Sequence, residues 1–223
     1  MMKGVGVGLG VALLGAAAVA VILYQRQKNL EVKRPRNSKE MSKLEESMAP
    51  GGEMDATLFL WIAQELKSPT CSLDDKLQML TLLKSASHER DFQLQLRDNG
   101  VFDSLFEAAK EKNLVNSSKK RKKKKHTFIS HQNKIESIGF IFANCAQNPD
   151  CHRYFFSSRF NLDPFVHTDP DSCLMILLNL SFTEFGARQC KEKLKAEEIV
   201  NKLASKSTNH VRIASVKRNL AVP

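Results

Sequence analysis

Cysteines and histidines are the side chains of this sequence best suited to act as nucleophiles, general bases or metal ligands. The chain has five cysteines and six histidines. Their closest grouping is Cys145, Cys151 and His152, whose spacing fits no zinc pattern such as C-x2-C. The histidines stand in turns and polar segments, outside any nucleophile or metal motif. The sequence therefore predicts no enzyme, no metal site and no cofactor.

The cysteine pattern also bears on the redox state of the chain. An odd count, set mostly among apolar residues or in helical patterns, does not fit the even count of a disulfide framework. We therefore expect reduced thiols throughout, at Cys71, Cys145, Cys151, Cys173 and Cys190.

A hydrophobic segment near the N-terminus predicts a membrane anchor. Residues 4–24 contain no charged or amide side chain, and at about 1.5 Å per residue this length of helix matches a hydrocarbon core of about 30 Å. A cleavable signal peptide is the alternative, because Ala16, Ala18 and Ala20 resemble a cleavage site. The apolar run continues beyond them to Tyr24, which favours a retained transmembrane signal anchor.

The charges flanking the anchor predict its orientation. Only Lys3 precedes the segment, whereas several basic residues from Arg26 to Lys39 follow it, and basic flanks stay on the cytosolic side. The C-terminal body should therefore face the cytosol. A Gly- and Ala-rich segment with a basic flank resembles anchors of the mitochondrial outer membrane, and an endoplasmic-reticulum anchor is the alternative.

A basic run interrupts the middle of the chain. Seven of its cations are consecutive: Lys119, Lys120, Arg121, Lys122, Lys123, Lys124 and Lys125. Nucleic-acid binding would favour cations spread over a folded face with aromatics between them, so no nucleic-acid partner is expected. We interpret residues 115–131 as an insertion loop that is solubilising or contacts anionic lipid or an acidic protein, anionic lipid contributing about 1 kcal/mol per basic residue near the surface.

The rest of the chain divides into a tether and a helical domain. Residues 25–53 are charged, contain prolines and show no sustained apolar period, which predicts a flexible tether. From residue 54 onward, apolar residues recur at helical spacing, as in Leu58, Ile62 and Leu66, with no sustained strand-type alternation. The predicted fold of residues 54–223 is therefore all-α. Its core should include Leu177, Leu180, Ile199 and Leu203.

Three predicted helices end alike, which indicates an internal repeat. They read IGFIFANCAQN around Asn144, CLMILLNLSFT around Asn179 and RIASVKRNLAV around Asn219. Spacings of 35 and 40 residues separate these asparagines. After the first two, a polar turn, a helix and a second apolar helix follow in the same order. One such unit cannot bury its apolar face alone, so neighbouring units should share a continuous core.

These units resemble the armadillo repeat family, whose repeats of about 42 residues comprise three helices and end in a similar Leu-Asn-Leu helix. The resemblance covers residues 55 to 223 and implies a right-handed helical stack. It also implies that Asn144, Asn179 and Asn219 line a groove and hold an extended peptide by its backbone. The alternative is that these asparagines only satisfy backbone groups between helices.

One departure from the family pattern narrows the expected ligand. Importin-type repeats place a Trp four positions before the Asn, whereas this chain has Phe140, Met175 and Ser215 there. A groove for a classical nuclear-import signal is therefore not expected.

The resemblance, together with the anchor, implies a membrane-tethered scaffold or adaptor that binds protein partners whose identity the sequence does not give. Armadillo proteins of the mitochondrial outer membrane act in mitochondrial positioning and dynamics, which suggests that role. The alternative is a membrane-tethered nucleotide-exchange co-chaperone of Hsp70, because armadillo-like proteins include such factors.

Overall fold

A computed structural model describes residues 38–47, 56–111, 121–204 and 209–221. Within these ranges every regular element is a helix and none is a strand, which confirms the all-α prediction. The chain divides into two compact units, Met1–Glu53 and Met54–Pro223.

The first unit contains helix α1 (Ser38–Ser47). This helix lies inside the predicted tether, so the prediction of a structureless tether was wrong there. The segment SKEMSKLEES lacks Gly and Pro and consists largely of Lys, Glu, Met and Leu, which are good helix formers. The predicted anchor at residues 4–24 lies outside the described residues. No helix among those that are described has the length and apolar character needed to cross a membrane.

The second unit is built from short helices and one long one. They are α2 (Ala56–Lys67), α3 (Leu73–Ala86), α4 (Arg90–Asp98), α5 (Val101–Lys110), α6 (Arg121–Cys145), a 3-10 turn (Pro149–Cys151), α7 (His152–Phe155), α8 (Asp163–Thr168), α9 (Pro170–Leu180), α10 (Glu184–Leu194), α11 (Ala196–Ala204) and α12 (His210–Leu220). Several begin at a capping side chain that accepts a backbone N–H, as Ser72 does for α3 and Thr183 for α10.

The helices of the second unit follow a repeating order. Three successive groups are α4–α5–α6, then the 3-10 turn with α7, α8 and α9, then α10–α11–α12. The last helix of each group, together with α3, forms a series that we call the third helices. These contact one another in chain order: α3 packs on α6, α6 on α9 and α9 on α12. The second helices also take part, because α2 packs on α5.

The core is centred on aromatic rings where the first two groups meet. The ring of Phe142 on α6 lies 5.6 Å from that of Phe102 on α5 and 5.8 Å from that of Phe155 on α7, centroid to centroid, in edge-to-face arrangements. Such pairs stabilise by roughly 0.5–1.5 kcal/mol beyond their burial. The shared rings join the neighbouring groups into one core.

Three of the four predicted core residues are confirmed. Leu177, Leu180 and Leu203 are at most 1% exposed. Ile199 is only half-buried, so the prediction of full burial was wrong for it. Ile199 lies on α11 and lines an open cleft, so no neighbouring helix among those described covers it fully.

The predicted insertion loop at residues 115–131 was wrong from Arg121 onward, because Arg121–Cys145 form one helix. This helix has 25 residues, against 11 each for α9 and α12. Lys and Arg are good helix formers. The packed C-terminal part of α6 already provides a helix nucleus, so each further residue at its N-terminal end adds one hydrogen bond without a new nucleation cost. Lys119 and Lys120 lie outside the described residues.

A buried ionic cluster lies where α3, α5 and α6 meet. The Glu111 carboxylate, just after α5, is 3.3 Å from the Lys76 ammonium and 3.0 Å from that of Lys134. The lysine side chains are only 6% and 3% exposed. Burial lowers the pKa of Lys134, and the hydrogen bond that its ammonium donates to Glu111 partly opposes this effect. One carboxylate therefore compensates two nearly buried ammonium groups.

Candidate functional site

The three predicted site asparagines occupy equivalent places near the C-terminal ends of α6, α9 and α12. All three are half-buried. Each side-chain amide donates a hydrogen bond to the preceding third helix or to the residue that ends it. Asn144 donates to the Ser87 hydroxyl at 2.8 Å, Asn179 to the Ala143 carbonyl at 2.8 Å and Asn219 to the Ser181 hydroxyl at 3.2 Å.

These bonds form an asparagine ladder that ties each third helix to the one before it. The first rung is also the most connected. Gln93 on α4 is buried, and its amide donates to the Ser87 carbonyl at 2.8 Å and to the Asn144 carbonyl at 3.3 Å. The amide Nδ2 of each asparagine is thus engaged within the stack, once by a backbone carbonyl and twice by a serine hydroxyl. A contact of the same side chains with a peptide stays a prediction, and would use the amide oxygen or the second amide hydrogen.

The residues four positions before the asparagines share the face of the third helices that carries the ladder, because residues four apart lie on one helix face. Phe140 is 42% exposed. Met175 and Ser215 are half-buried. The Lys84 ammonium on α3 lies 4.4 Å from the ring centroid of Phe140, within the range of a cation–π contact. Neighbouring third helices therefore present an aromatic ring with a cation above it.

The carboxylates near this face already have partners. Asp171 on α9 lies 3.4 Å from the Arg212 guanidinium of α12 and accepts a hydrogen bond from the Asn209 amide. Glu136 on α6 accepts a hydrogen bond from Gln132 at 2.8 Å. Both carboxylates are thus engaged by neighbouring groups of the stack.

Two phenylalanines stand out at the turn between α9 and α10. Phe182 is 85% exposed and Phe185 is 66% exposed. Phe182 lies in the turn just beyond the end of α9, three residues after Asn179. Exposed apolar side chains grouped in this way mark interaction surfaces more often than isolated ones do. Sequence analysis missed this pair, although two phenylalanines close to Thr183, the residue that caps α10, could have indicated exposed aromatic rings at a helix start.

Close helix contacts fix the positions of the third helices. A Cβ added to Gly139 on α6 would lie 2.7 Å from Asp169 Oδ2 and 2.7 Å from Ser172 Cβ. Asp169 caps the start of α9 by accepting the Ser172 N–H. Its burial raises the pKa of this carboxyl, with hydrogen bonds from Ser172 opposing the rise. Gly139 therefore lets α6 approach the first turn of α9.

The five cysteines are free, as predicted, and four of them are buried. Burial raises the pKa of the Cys151 thiol to about 11 and that of Cys173 and Cys190 to about 12. Because the thiolate is the reactive form, these side chains are core residues without nucleophilic character.

Of the predicted basic group, Arg121 and the four lysines up to Lys125 lie in the first turns of α6. These residues lie at the N-terminal end of α6, whereas Asn144 lies at its C-terminal end.

Comparisons of this chain with known protein families, with curated proteins and with solved structures gave no match.

Proposed function

We propose that this chain is a membrane-anchored, cytosol-facing scaffold whose helical unit is an armadillo-like right-handed stack. In this proposal the third helices bind an extended segment of a partner protein along the face that carries the asparagine ladder. The observation that supports it most directly is the succession α3, α6, α9 and α12, each packed on the last, with Asn144, Asn179 and Asn219 at matching places.

The surface chemistry of this face supports binding of a protein segment more than catalysis. It combines an exposed aromatic ring, Phe140, with the amide groups of the ladder. Two further exposed rings, Phe182 and Phe185, follow α9 in the chain. Aromatic side chains bury large areas at interfaces, and amides recognise the backbone of any extended peptide. No covalent or proton-transfer step is required of this set.

The membrane part of the proposal rests on the sequence. Residues 4–24 are uncharged over a length that spans a bilayer, and the basic residues from Arg26 to Lys39 resist transfer across it. We place the anchor in the mitochondrial outer membrane, with the endoplasmic reticulum as second choice, and assign the scaffold a role in organelle positioning or dynamics.

Imaging and co-purification test the proposal together. A full chain with a C-terminal tag is compared in cells with a chain lacking residues 1–28, and partners are recovered with and without ATP. The proposal expects organelle localisation that is lost with the anchor, and partners that stay bound when ATP is added. Release of Hsp70 by ATP would instead support a nucleotide-exchange co-chaperone. A diffuse full-length chain would contradict the anchor.

A further inference from the structure

A cleft of about 480 Å³ opens between α8 and the α10–α11 junction, away from the asparagine ladder. Its apolar lining includes Leu162, Val166, Leu194 and Ile199. The first three are buried and Ile199 is half-buried. The size lies in the range of small-molecule pockets, which combine an apolar lining with a few polar groups. The cleft therefore has room for a small ligand with an apolar body.

The polar groups of the cleft are mainly cationic. Lys193, Lys195 and Lys202 line it, together with His167. The Lys202 ammonium lies 3.2 Å from Nε2 of His167. An ammonium group can only donate, so the imidazole nitrogen is the acceptor in this contact. Three lysines thus converge on one cleft.

Two carboxylates also line the cleft, against three lysines, so the lining carries a net positive charge. Asp163 lies in the first turn of α8 and Glu198 in the first turn of α11. Carboxylates near helix N-termini interact favourably with the unpaired N–H groups there. The local structure therefore accounts for these two carboxylates. The ammonium groups of Lys193 and Lys195, by contrast, have no ion-pair or hydrogen-bond partner among the described residues.

The backbone of Lys195 supplies an independent observation. Lys195 ends α10 in the left-handed conformation, with φ of 51°. Gly100 occupies the matching junction between α4 and α5, with φ of 72°. The turn between α4 and α5 thus uses glycine, which adopts the left-handed conformation without strain. The matching turn between α10 and α11 uses a lysine, for which this conformation is strained. Residues held in such conformations cluster at ligand-binding sites, where the strain is tolerated for function.

We propose that this cleft binds a small amphipathic anion, in which an apolar body rests on the aliphatic lining and a phosphate, phosphonate or sulfonate group meets Lys193, Lys195 and Lys202. In this proposal the charge of Lys195 contacts the ligand, which offsets the cost of its left-handed backbone. A glycine there would give a more stable turn and a weaker site.

Calorimetric titration of the full chain with phenyl phosphate tests the site, with inorganic phosphate and phenyltrimethylammonium as the comparison ligands. Phenyl phosphate should bind best. Inorganic phosphate lacks the apolar body, and phenyltrimethylammonium carries the opposite charge. Equal binding of either comparison ligand, or no binding of phenyl phosphate at millimolar concentration, would overturn the proposal.

Variants at one position separate charge from backbone strain. Lys195→Gly should raise the unfolding temperature and weaken phenyl phosphate binding about two- to fivefold, the loss expected for one exposed cation. Lys195→Arg should keep both the affinity and the strain. Lys217→Gln removes an exposed cation outside the cleft and should leave binding unchanged. Unchanged affinity in Lys195→Gly, or an equal loss in Lys217→Gln, would show that the cleft does not select the anion.

Discussion

The close contact of Gly186 with the end of α9 gives a prediction for the stability of Gly186→Ala. Steric overlap lowers the free energy of unfolding, whereas the higher helix propensity of Ala raises it. A Cβ added to Gly186 would lie 1.9 Å from the backbone carbonyl oxygen of Leu180 and 3.1 Å from the hydroxyl oxygen of Thr183. Atoms cannot approach that closely, so α10 would have to move away from α9 by about 1 Å or more. The obstructing atom is the backbone carbonyl oxygen of Leu180, which cannot rotate aside as a side chain can.

The magnitude of Gly186→Ala follows from three contributions. Overpacking costs about 1–3 kcal/mol. Movement of α10 also weakens the cap in which Thr183 accepts the Gly186 N–H at 3.1 Å, which costs about 1 kcal/mol. Replacing a helical Gly by Ala stabilises by at most about 1 kcal/mol. The steric terms win, and we expect a net loss of about 1–3 kcal/mol.

Urea denaturation of a fragment spanning residues 54–223, followed by circular dichroism, measures this loss. Gly100→Ala is the matched control, because a Cβ there meets nothing within 4 Å and only the left-handed backbone is penalised, at roughly 1–2 kcal/mol. Stability equal to or above wild type in Gly186→Ala would refute the close approach of α9 and α10.

Three further changes test other parts of the structure. Glu111→Gln should lower the unfolding free energy by about 2–3 kcal/mol in the same denaturation assay, because it leaves the nearly buried Lys76 and Lys134 without their carboxylate; an unchanged midpoint would show that the cluster contributes nothing. The raised pKa of Asp169 means that the folded state binds its proton more tightly than the unfolded state, so this group's contribution to stability is present at low pH and lost as pH rises through the raised pKa. Asp169→Asn keeps the cap and should make the fragment more stable relative to wild type near pH 7 than near pH 3, and the reverse trend across a pH series would contradict the assignment. Replacing both Leu13 and Leu14 with Arg should release the full chain from the alkaline-carbonate membrane pellet, since each charge costs about 2.5–3.5 kcal/mol at a helix centre; retention in the pellet would rule out residues 4–24 as the anchor.

Apolar spacing predicted the long, strongly periodic helices but not the short or charged ones. Leu177 and Leu180 were correctly assigned to the core because their helix is apolar on most sides. By contrast, α1 was missed because only Met41 and Leu44 mark an apolar side, and the N-terminal part of α6 because its residues are basic. In these segments helix propensity outweighs the missing apolar period.

The asparagine positions followed from the sequence repeat, whereas their hydrogen bonds did not. Which atom an amide contacts depends on the approach of the neighbouring helix, here on Ser87, Ala143 and Ser181. Ala143 and Ser181 lie within two residues of a repeated asparagine, whereas Ser87 does not. The anion cleft was not predicted at all, because its lysines come from α10, α11 and their junction, and look like ordinary surface charges in the sequence.

The face of the third helices as a partner-binding surface is the central claim, and site-specific photocrosslinking in cells tests it most directly. A photoreactive phenylalanine analogue is placed at Phe140 on that face, and at Leu60, which is 52% exposed on α2, as the matched control. The account predicts a discrete crosslinked partner from position 140 that is absent from position 60 and is lost when Phe182→Ser is added. Crosslinks to the same proteins from both positions, or a crosslink from position 140 that Phe182→Ser leaves unchanged, would contradict it.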